Sequence, residues 1–373
     1  MKNSTILNRG LKVVALAVAL LSIQGSANAQ IDIGTLMKAA AADGSKLVGA
    51  FISPTLKGFG AGMNAGWYNT AKTHGLGRFD VTINFNAVMI PTEDELFNAS
   101  SLGFQNLQIK TGTGPNGATL AGSDDLANNA IYQLLLDDPT NPGSKRVVTE
   151  FASPKGLGIP YSGAPTAQLS VGLFKNTEVM FRYIPTISLG DYGDVGLMGF
   201  GLKHDIKQWI PGIKLLPFDM AAFFGYTNFN VDGSLDLKAE ALPAYSGNTN
   251  TNYTDQSYSF NTKASTFGLI VSKKIALITA YGAVNYQTSK SEVALNGNFP
   301  LTVIEDQIGN PNFGNNAITN IKDPVNITVN GANGMTGTLG LRLKLLIVTF
   351  QGAYTFGKYP MATAGIGINL DWK

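Results

Sequence analysis

The chain has 373 residues, no cysteine, 14% charged residues and a formal net charge of +2. An exported chain without cysteine has no disulfide framework, no thiolate metal site and no thiol nucleophile. The near-neutral charge argues against a nucleic-acid-binding protein. A large soluble all-β domain and a membrane barrel are both compatible with this composition, so the order of residues along the chain must distinguish them.

The first 29 residues have the pattern of a cleavable secretory signal. A basic start is followed by an apolar run over residues 13–23, and the small residues Ala27 and Ala29 end the segment. The apolar run is shorter than the roughly 18 to 20 residues that a membrane-spanning helix needs. We therefore expect export, with residues 1–29 removed from the mature chain.

Residues 30–75 form a segment whose pattern differs from the rest of the chain. Apolar residues between positions 33 and 40 have helical spacing, and the stretch 58–66 is rich in small residues and does not alternate. Small residues allow backbone to pack closely, which favours a hatch or plug inside a barrel mouth. A periplasmic N-terminal arm is the alternative that the sequence leaves open. The candidate gate or ligand residues of this segment are Phe59, Met63 and Trp67.

From residue 76 to residue 373 the pattern has a period of two. In the stretch 79–89 every odd residue is apolar, while Asp80, Asn84 and Asn86 lie among the even residues. Such a stretch is about as long as the 9 to 11 residues with which a tilted strand crosses a bilayer. Similar alternation recurs at 167–173, 179–183, 335–345, 348–356 and 362–372. A soluble sandwich also alternates, but the export signal favours an antiparallel transmembrane β-barrel.

Aromatic residues near the strand ends add support for a membrane barrel, because amphipathic rings collect at membrane interfaces. These residues are Trp209, Tyr226, Phe229, Tyr286, Tyr359 and Trp372, of which Trp209 and Trp372 are the expected interface anchors. Chain length predicts about 12 to 14 strands. Short turns are expected at 175–176 and 273–274, and long outer loops at 244–256 and 296–334. The stretch 92–165 is not assigned.

Charged residues within the alternating strands predict a polar lumen. Each lies on the face opposite the apolar side chains, and a basic residue on the lipid face at the bilayer midplane would cost about 2 to 4 kcal/mol. They are therefore expected to point inward, where they either line a conduit or form a structural charge network. The predicted lumen-facing residues are Glu178, Arg182, Arg342 and Lys344.

Catalytic chemistry is not indicated by the sequence. The two histidines, His74 and His204, are far apart along the chain, and a lone histidine is more often structural or exposed than catalytic. The acidic neighbours at 94–95 and 137–138 lack the spacing of a calcium loop. We therefore expect no catalytic residue, no metal site and no cofactor, and a protein that is not an enzyme.

Two stretches carry a resemblance to a known group of proteins. Residues 58–72, with Gly66-Trp67-Tyr68 at their centre, and residues 201–211 resemble a family of uncharacterised outer-membrane barrels from Bacteroidetes-type bacteria. That family implies no activity. The plan of a hatch plus about 14 strands is more distantly similar to the long-chain fatty-acid and aromatic-hydrocarbon transporters, which implies passage of a hydrophobic ligand past the hatch. Their Asn-Pro-Ala hatch motif is absent here, so no substrate follows.

These observations predict an outer-membrane β-barrel for passive uptake of a small hydrophobic compound, with the N-terminal segment as its gate. The alternative is a structural or interaction barrel with a blocked lumen. An outer-membrane lipid hydrolase or acyltransferase ranks third because the motifs for it are missing. The expected partners are outer-membrane lipid, the barrel-assembly machinery and a small hydrophobic ligand, and no nucleic acid is expected.

Overall fold

The computed structural model describes residues 41–123, 129–138, 141–190, 193–236, 253–304 and 316–370. The predictions on the signal segment, on the apolar residues between 33 and 40 and on Trp372 lie outside these residues. Among the described helices none is both long enough and apolar enough to cross a bilayer.

The described chain contains one α-helix and eighteen strands. The helix is α1 (Ala41–Met63), and the strands are β1 (Phe79–Met89), β2 (Leu96–Asn98), β3 (Leu107–Ile109), β4 (Asn116–Ala118), β5 (Ile131–Asp137), β6 (Lys145–Ala152), β7 (Tyr161–Leu173), β8 (Thr177–Ser188), β9 (Asp194–Asp205), β10 (Asp219–Ser234), β11 (Ser257–Ile275), β12 (Ile278–Asn296), β13 (Asn298–Ile304), β14 (Asn316–Lys322), β15 (Val325–Asn330), β16 (Gly334–Leu345), β17 (Val348–Phe356) and β18 (Met361–Asn369).

Ten of these strands close into an antiparallel ring. Going round it, β1 is followed by β7 to β12 in sequence order and then by β16, β17 and β18. The first and last strands pair with each other, from Asp80 opposite Asn369 to Val88 opposite Met361. This closed ring confirms the predicted all-β transmembrane-type barrel, because closure removes every exposed sheet edge from the wall.

The predicted number of 12 to 14 strands is wrong, since the ring has ten. The estimate assumed strands of average span, but β11 and β12 have 19 residues each. In addition, the unassigned stretch 92–165 supplies no complete wall strand before β7. It forms two small sheets, in which β2 pairs with β4 and β5 lies between β3 and β6.

The two faces of the wall differ as the alternation predicts. In β1 the even residues face the lumen, and Asn84 and Asn86 are 1% and 0% exposed. The odd residues face outward, and Ile83 is 59% exposed. Apolar outward residues recur in β9 and β16, such as Met198 and Leu339. The outer face is therefore an apolar belt suited to lipid.

Connections between the wall strands differ at the two ends of the ring. At one end, called the turn end, they are 174–176, 206–218, 276–277 and 346–347. At the other, called the loop end, they include 90–160, 235–256 and 297–333. The predicted turn at 273–274 is shifted because β11 continues to Ile275 and the chain reverses at Ala276, which has a positive φ of 53°.

The predicted loop 296–334 is largely a β-hairpin. β13 pairs with β14, and β15 pairs with the loop-end part of β12. In β15, Ile327 and Val329 are buried, whereas Asn326 and Thr328 are exposed. β15 pairs with β12 beyond the part of β12 that pairs with β16. Its outward residues are polar there, so the stretch has the composition of a loop.

Residues 41–77, which we call the lumen segment, lie inside the ring. α1 begins at the loop end, and the chain leaves the lumen at the turn end, where the backbone N–H of Gly77 donates to Gly172. The helix continues into the glycine-rich stretch 58–66 and ends at Met63. A Cβ at Gly60 would lie 2.7 Å from the Cβ of Ser289, so glycine lets α1 pack directly on the wall. This contact offsets the low helix propensity of glycine.

Asp43 attaches the first turn of α1 to the loop end. Its side chain is fully buried, and its carboxylate accepts backbone hydrogen bonds of 2.7–3.1 Å from Gln105, Asn106 and Leu107. Lys46 lies 3.6 Å from the same carboxylate. A buried charge is tolerated when it is hydrogen-bonded in this way, so the small sheets beyond the ring are fastened to the start of the helix.

Candidate functional site

Inward-facing amide side chains of the wall bind the backbone of the lumen segment. Each donates a hydrogen bond to a backbone carbonyl in the last turn of α1 or just beyond it, where carbonyls lack helical partners. The pairs are Asn86 to Gly62 at 3.1 Å, Asn84 to Gly66 at 3.1 Å and Gln168 to Trp67 at 3.0 Å. These residues lie on β1 and β7, so two neighbouring strands hold one side of the segment.

Arg182 on β8 caps the C-terminal end of α1. Its guanidinium donates to the carbonyl of Met63 at 2.8 Å and to that of Ala65 at 2.6 Å. The last carbonyls of a helix lack partners within the helix and carry partial negative charge, so a cation there is favourable. The side chain is fully buried and also donates to Gln168 at 3.2 Å. Arg182 therefore joins the wall to the end of the helix.

Trp67 fills a notch in the wall beside this arginine. Gly201 on β9 and Gly225 on β10 are paired directly across the two strands. A Cβ at these positions would lie 2.8 Å and 2.4 Å from the indole ring, so the ring needs both glycines. The guanidinium carbon of Arg182 lies 3.7 Å from the ring centroid on a cation–π contact. The indole is thus held between backbone and cation and is 1% exposed.

The opposite side of the segment is bound by other strands. The amide of Asn285 on β12 donates to the hydroxyl of Tyr68 at 2.8 Å. Further along, the backbone N–H of Ala71 donates to the hydroxyl of Ser272 at 2.9 Å, and the hydroxyl of Thr70 lies 3.2 Å from the same oxygen. The segment is therefore bound around its circumference, and we call residues 64–75 the polar section.

A group of buried charges surrounds the end of the polar section. Lys203 lies 2.9 Å from one carboxylate oxygen of Glu178, and the other oxygen accepts the backbone N–H of His74 at 3.1 Å. The Nε2 of His74 lies 3.1 Å from the carboxylate of Asp80. Removing such charges from water is costly unless they are paired. Their mutual pairing therefore lets charged groups remain inside the wall while fixing the segment.

The helical part of the lumen segment is held by apolar contacts instead. Phe59 packs against Phe229 and Phe260, with ring centroids 5.0 Å and 5.7 Å apart. Further core residues belong to α1 itself or to the strands around it. They are Leu47, Val48, Phe51, Ile52 and Leu56 of the helix, and Tyr258, Val293, Val325, Ile327 and Val329 of the strands. The loop-end half of the lumen is thus a hydrophobic core rather than a channel wall.

The predicted site residues fall into separate groups. Met63, Trp67 and Arg182 meet at the end of α1, and Phe59 lies apart in the apolar half. Glu178 belongs to the charged group near the turn end. Arg342 is 7% exposed on the inner face of β16. The ammonium of Lys344, at the turn end, donates to Asn369.

The predicted interface aromatics differ in whether they lie at the outer surface or are buried. Trp209 is 64% exposed at the turn end, and its indole N–H donates to Nε2 of His204 at 2.8 Å. Tyr286 faces outward and is 39% exposed. Phe229 and Tyr359 are wrong as membrane-interface residues, because Phe229 packs on Phe59 in the lumen and Tyr359 is 1% exposed.

Several important residues were not singled out from the sequence. Asn86 and Gln168 lay on the polar face of the alternating strands. An amide side chain in the middle of such a strand was the sequence feature that could have identified them. Gly201 and Gly225 are inward glycines within strands, which mark a close approach of another chain segment. Nothing in the sequence marked Lys203 except its place in the alternation of a strand.

A small cavity lies beside the polar section. It has a volume of about 20 Å³ between Gly66, Tyr68, Tyr281 and Asn285, which is room for roughly one water molecule. The described residues include no group of three or more His, Asp or Glu side chains placed to hold a metal ion. In the part of the chain that is described, the site therefore consists of the lumen segment and the wall side chains that bind it.

Three solved structures are similar to this chain at low sequence identity and low TM-score. The translocator domain of the autotransporter NalP from Neisseria meningitidis shares 9% identity, with 85% of this chain and 93% of that chain covered and a TM-score of 0.28. The outer-membrane transporter YddB from Escherichia coli shares 12% identity, with 77% and 41% covered and a TM-score of 0.28. The transport unit of the autotransporter AIDA-I from Escherichia coli shares 10%, with 89% and 99% covered and a TM-score of 0.25.

No curated protein matches the chain in sequence. A family model does match, over residues 1–370, and its description is a family of unknown function (DUF6588). Because the match extends over nearly the whole length, the chain belongs to this family of unknown function.

Proposed function

We propose that the protein is an outer-membrane barrel whose lumen is closed in the resting state by its own residues 41–77. The observation that carries this proposal is the occupied lumen. Wall side chains from β1, β7, β8, β11 and β12 bind the lumen segment, and the cavity between Gly66, Tyr68, Tyr281 and Asn285 has room for about one water molecule. This geometry favours a structural or interaction barrel over an open pore.

The proposed location rests on the wall and on the sequence. A closed antiparallel ring with an apolar outer belt satisfies every backbone group within lipid. The expected secretory signal at 1–29 directs export. Short connections of bacterial barrels face the periplasm, so the turn end is proposed to be periplasmic and the loop end external. Lipid of the outer membrane and the barrel-assembly machinery are the proposed partners, and no enzymatic activity is proposed.

Passive uptake of a small hydrophobic compound, gated by the lumen segment, is the second candidate. The apolar surroundings of Phe59 favour it, because an aromatic and aliphatic core could accept such a compound if the helix moved. The polar section then forms the barrier, since Arg182, Asn84 and Gln168 would have to release it. The two candidates differ in whether the polar section leaves its position during function.

Conductance distinguishes a closed barrel from an open one. The full-length protein in planar bilayers is expected to pass no steady current, and vesicles that contain it should not swell in sugar solutions. A chain lacking residues 41–75 should conduct. Steady current through the full-length protein would contradict closure. Uptake of a small hydrophobic fluorophore by the silent full-length protein would select the second candidate over the first.

A further inference from the structure

An arc of the turn end carries exposed cations and exposed apolar side chains together. It consists of the connections 174–176 and 206–218 and of residues 273–277 at the end of β11. These three parts follow one another around the ring because β7 to β12 are consecutive neighbours. The side-chain amide of Gln208 joins the first two parts by donating to the carbonyl of Lys175 at 3.1 Å. We call the three parts together the basic arc.

Three lysines of the basic arc lack acidic partners. Lys175, Lys273 and Lys274 are exposed, and none forms an ion pair with a carboxylate of the described chain. Two loop-end lysines are paired instead. Lys110 lies 2.6 Å from Glu150, and Lys290 lies 2.6 Å from Glu292. Three uncompensated ammonium groups thus lie on one arc of the turn end, where they can attract an anionic partner.

The register of β11 places this charge at the border of the apolar belt. Phe267, Leu269 and Val271 are successive outward residues, exposed by 56%, 53% and 41%. Lys273 is the next outward residue on the same strand. A lysine at the edge of such a belt lays its aliphatic stem along the apolar surface and extends its ammonium to the headgroup region.

Apolar side chains of the basic arc project beside these lysines. Trp209 is 64% exposed, and its only polar group already donates to His204. An indole satisfied in this way suits the boundary between hydrocarbon and headgroups. Phe174, Leu215 and Leu277 are 71%, 89% and 56% exposed. Exposed apolar side chains beside cations are a combination that suits binding to a lipid surface.

We propose that the basic arc binds the phosphate groups of anionic phospholipids in the leaflet that borders the turn end. The apolar belt fixes the depth of the barrel, and the three ammonium groups supply charge complementarity. Each lysine is expected to strengthen association of an anionic lipid roughly fivefold. This inference concerns the outer rim and does not depend on closure of the lumen.

Spin-labelled lipids test the proposal on the full-length chain. The protein is placed in phosphatidylcholine vesicles with a trace of spin-labelled phosphatidylglycerol or phosphatidylcholine, and the motionally restricted fraction of each label is measured. The wild type is expected to prefer phosphatidylglycerol at least fivefold in low salt. The triple variant Lys175→Gln, Lys273→Gln, Lys274→Gln should reduce that ratio to near one. The matched control is Lys110→Gln, Lys290→Gln at the loop end, which should keep the wild-type ratio.

Three results would overturn the proposal. They are a wild-type ratio near one, a triple variant that keeps the preference, and an equal loss in the triple variant and the loop-end control. A wild-type ratio near one would leave an acidic protein as the alternative occupant of the arc. Added salt provides a second readout, since an attraction between exposed charges should weaken as the Debye length shortens.

Discussion

Helix α1 and the polar section fill the same lumen, but different forces hold them. Around α1 the contacts are apolar, and Phe59 lies among other aromatic rings. Around the polar section, amides, hydroxyls and charges of the wall bind mostly the backbone of an irregular chain. Apolar burial resists removal of the helix in proportion to area, whereas hydrogen bonds to the wall can be exchanged for bonds to water at small net cost.

The two kinds of contact indicate which part of the lumen segment is fixed and which part controls passage. We call α1 the helical half and the polar section the polar half. The helical half resembles a protein core, and Asp43 fastens its start to the loop end. The polar half is held mainly by hydrogen bonds, and the ring of Trp67 in its notch is its largest buried apolar contact. We therefore expect stability to depend on both halves and ionic conductance to depend on the polar half.

The largest effect is expected for the pair Trp67→Ala and Phe59→Ala. Each removes a large buried ring, so each should lower the free energy of unfolding by about 3 to 5 kcal/mol. Urea unfolding in lipid vesicles measures this loss. Trp67→Ala should also permit transient current in planar bilayers, whereas Phe59→Ala should remain silent. Equal conductance in the two variants would remove the functional distinction between the halves.

Replacement of the helix cap should have the next largest effect. Arg182→Met leaves the carbonyls of Met63 and Ala65 without a donor, and each unpaired buried group costs about 1 to 3 kcal/mol. The free energy of unfolding should therefore fall by about 3 kcal/mol. Arg182→Lys is the control, because it keeps the charge at the helix end but loses the two-pronged geometry. It should lose less stability than Arg182→Met, and the opposite order would contradict the capping role.

A smaller effect is expected when the notch for the indole is filled. Gly225→Leu places side-chain atoms where the ring of Trp67 lies, which should cost about 1 to 3 kcal/mol of unfolding free energy and displace the ring. Gly352→Leu is the matched control, since a Cβ at that wall position meets nothing within 4 Å. Tryptophan fluorescence should shift to longer wavelength only in Gly225→Leu. A similar shift in both variants would argue against the notch.

The smallest effect is expected for a single wall amide. Asn86 donates to Gly62 at 3.1 Å and to Ala164 at 3.0 Å, so Asn86→Ala should cost about 1 to 2 kcal/mol of unfolding free energy. Asn86→Asp keeps the shape but cannot donate, and should be no more stable than the alanine variant. If Asn86→Asp were as stable as the wild type, the amide would not be binding the segment.

The wall was predictable from sequence because alternation directly reports which face meets lipid. Residues 79–89 show this in β1, where Asn84 and Asn86 face inward. The path of the lumen segment was harder to predict. Gly58 and Gly60 have low helix propensity, and only their contact with the wall explains the helix. The stretch 92–165 and the strand number depended on long-range pairing, which has no local signal.

Parts of the site were predictable as single residues but not as an assembly. The position of Arg182 within an alternating strand indicated an inward charge. Its partners are backbone carbonyls of Met63 and Ala65, and carbonyls carry no sequence signal because every residue has one. The notch at Gly201 and Gly225 depends in the same way on the register between β9 and β10.

The most direct test of closure is a removable cross-link between the polar section and the wall. Thr70 and Ser272 have hydroxyl oxygens 3.2 Å apart, and the chain has no cysteine of its own, so Thr70→Cys, Ser272→Cys is expected to form one disulfide. The control pair, Thr338→Cys, Thr355→Cys, joins two wall strands whose hydroxyl oxygens are 2.9 Å apart.

Single-channel current is measured for each pair in the Trp67→Ala background, before and after reduction. We predict that the Thr70–Ser272 cross-link abolishes the current, that reduction restores it, and that the wall cross-link has no effect. The same current with the polar section cross-linked or released would contradict closure by residues 64–75.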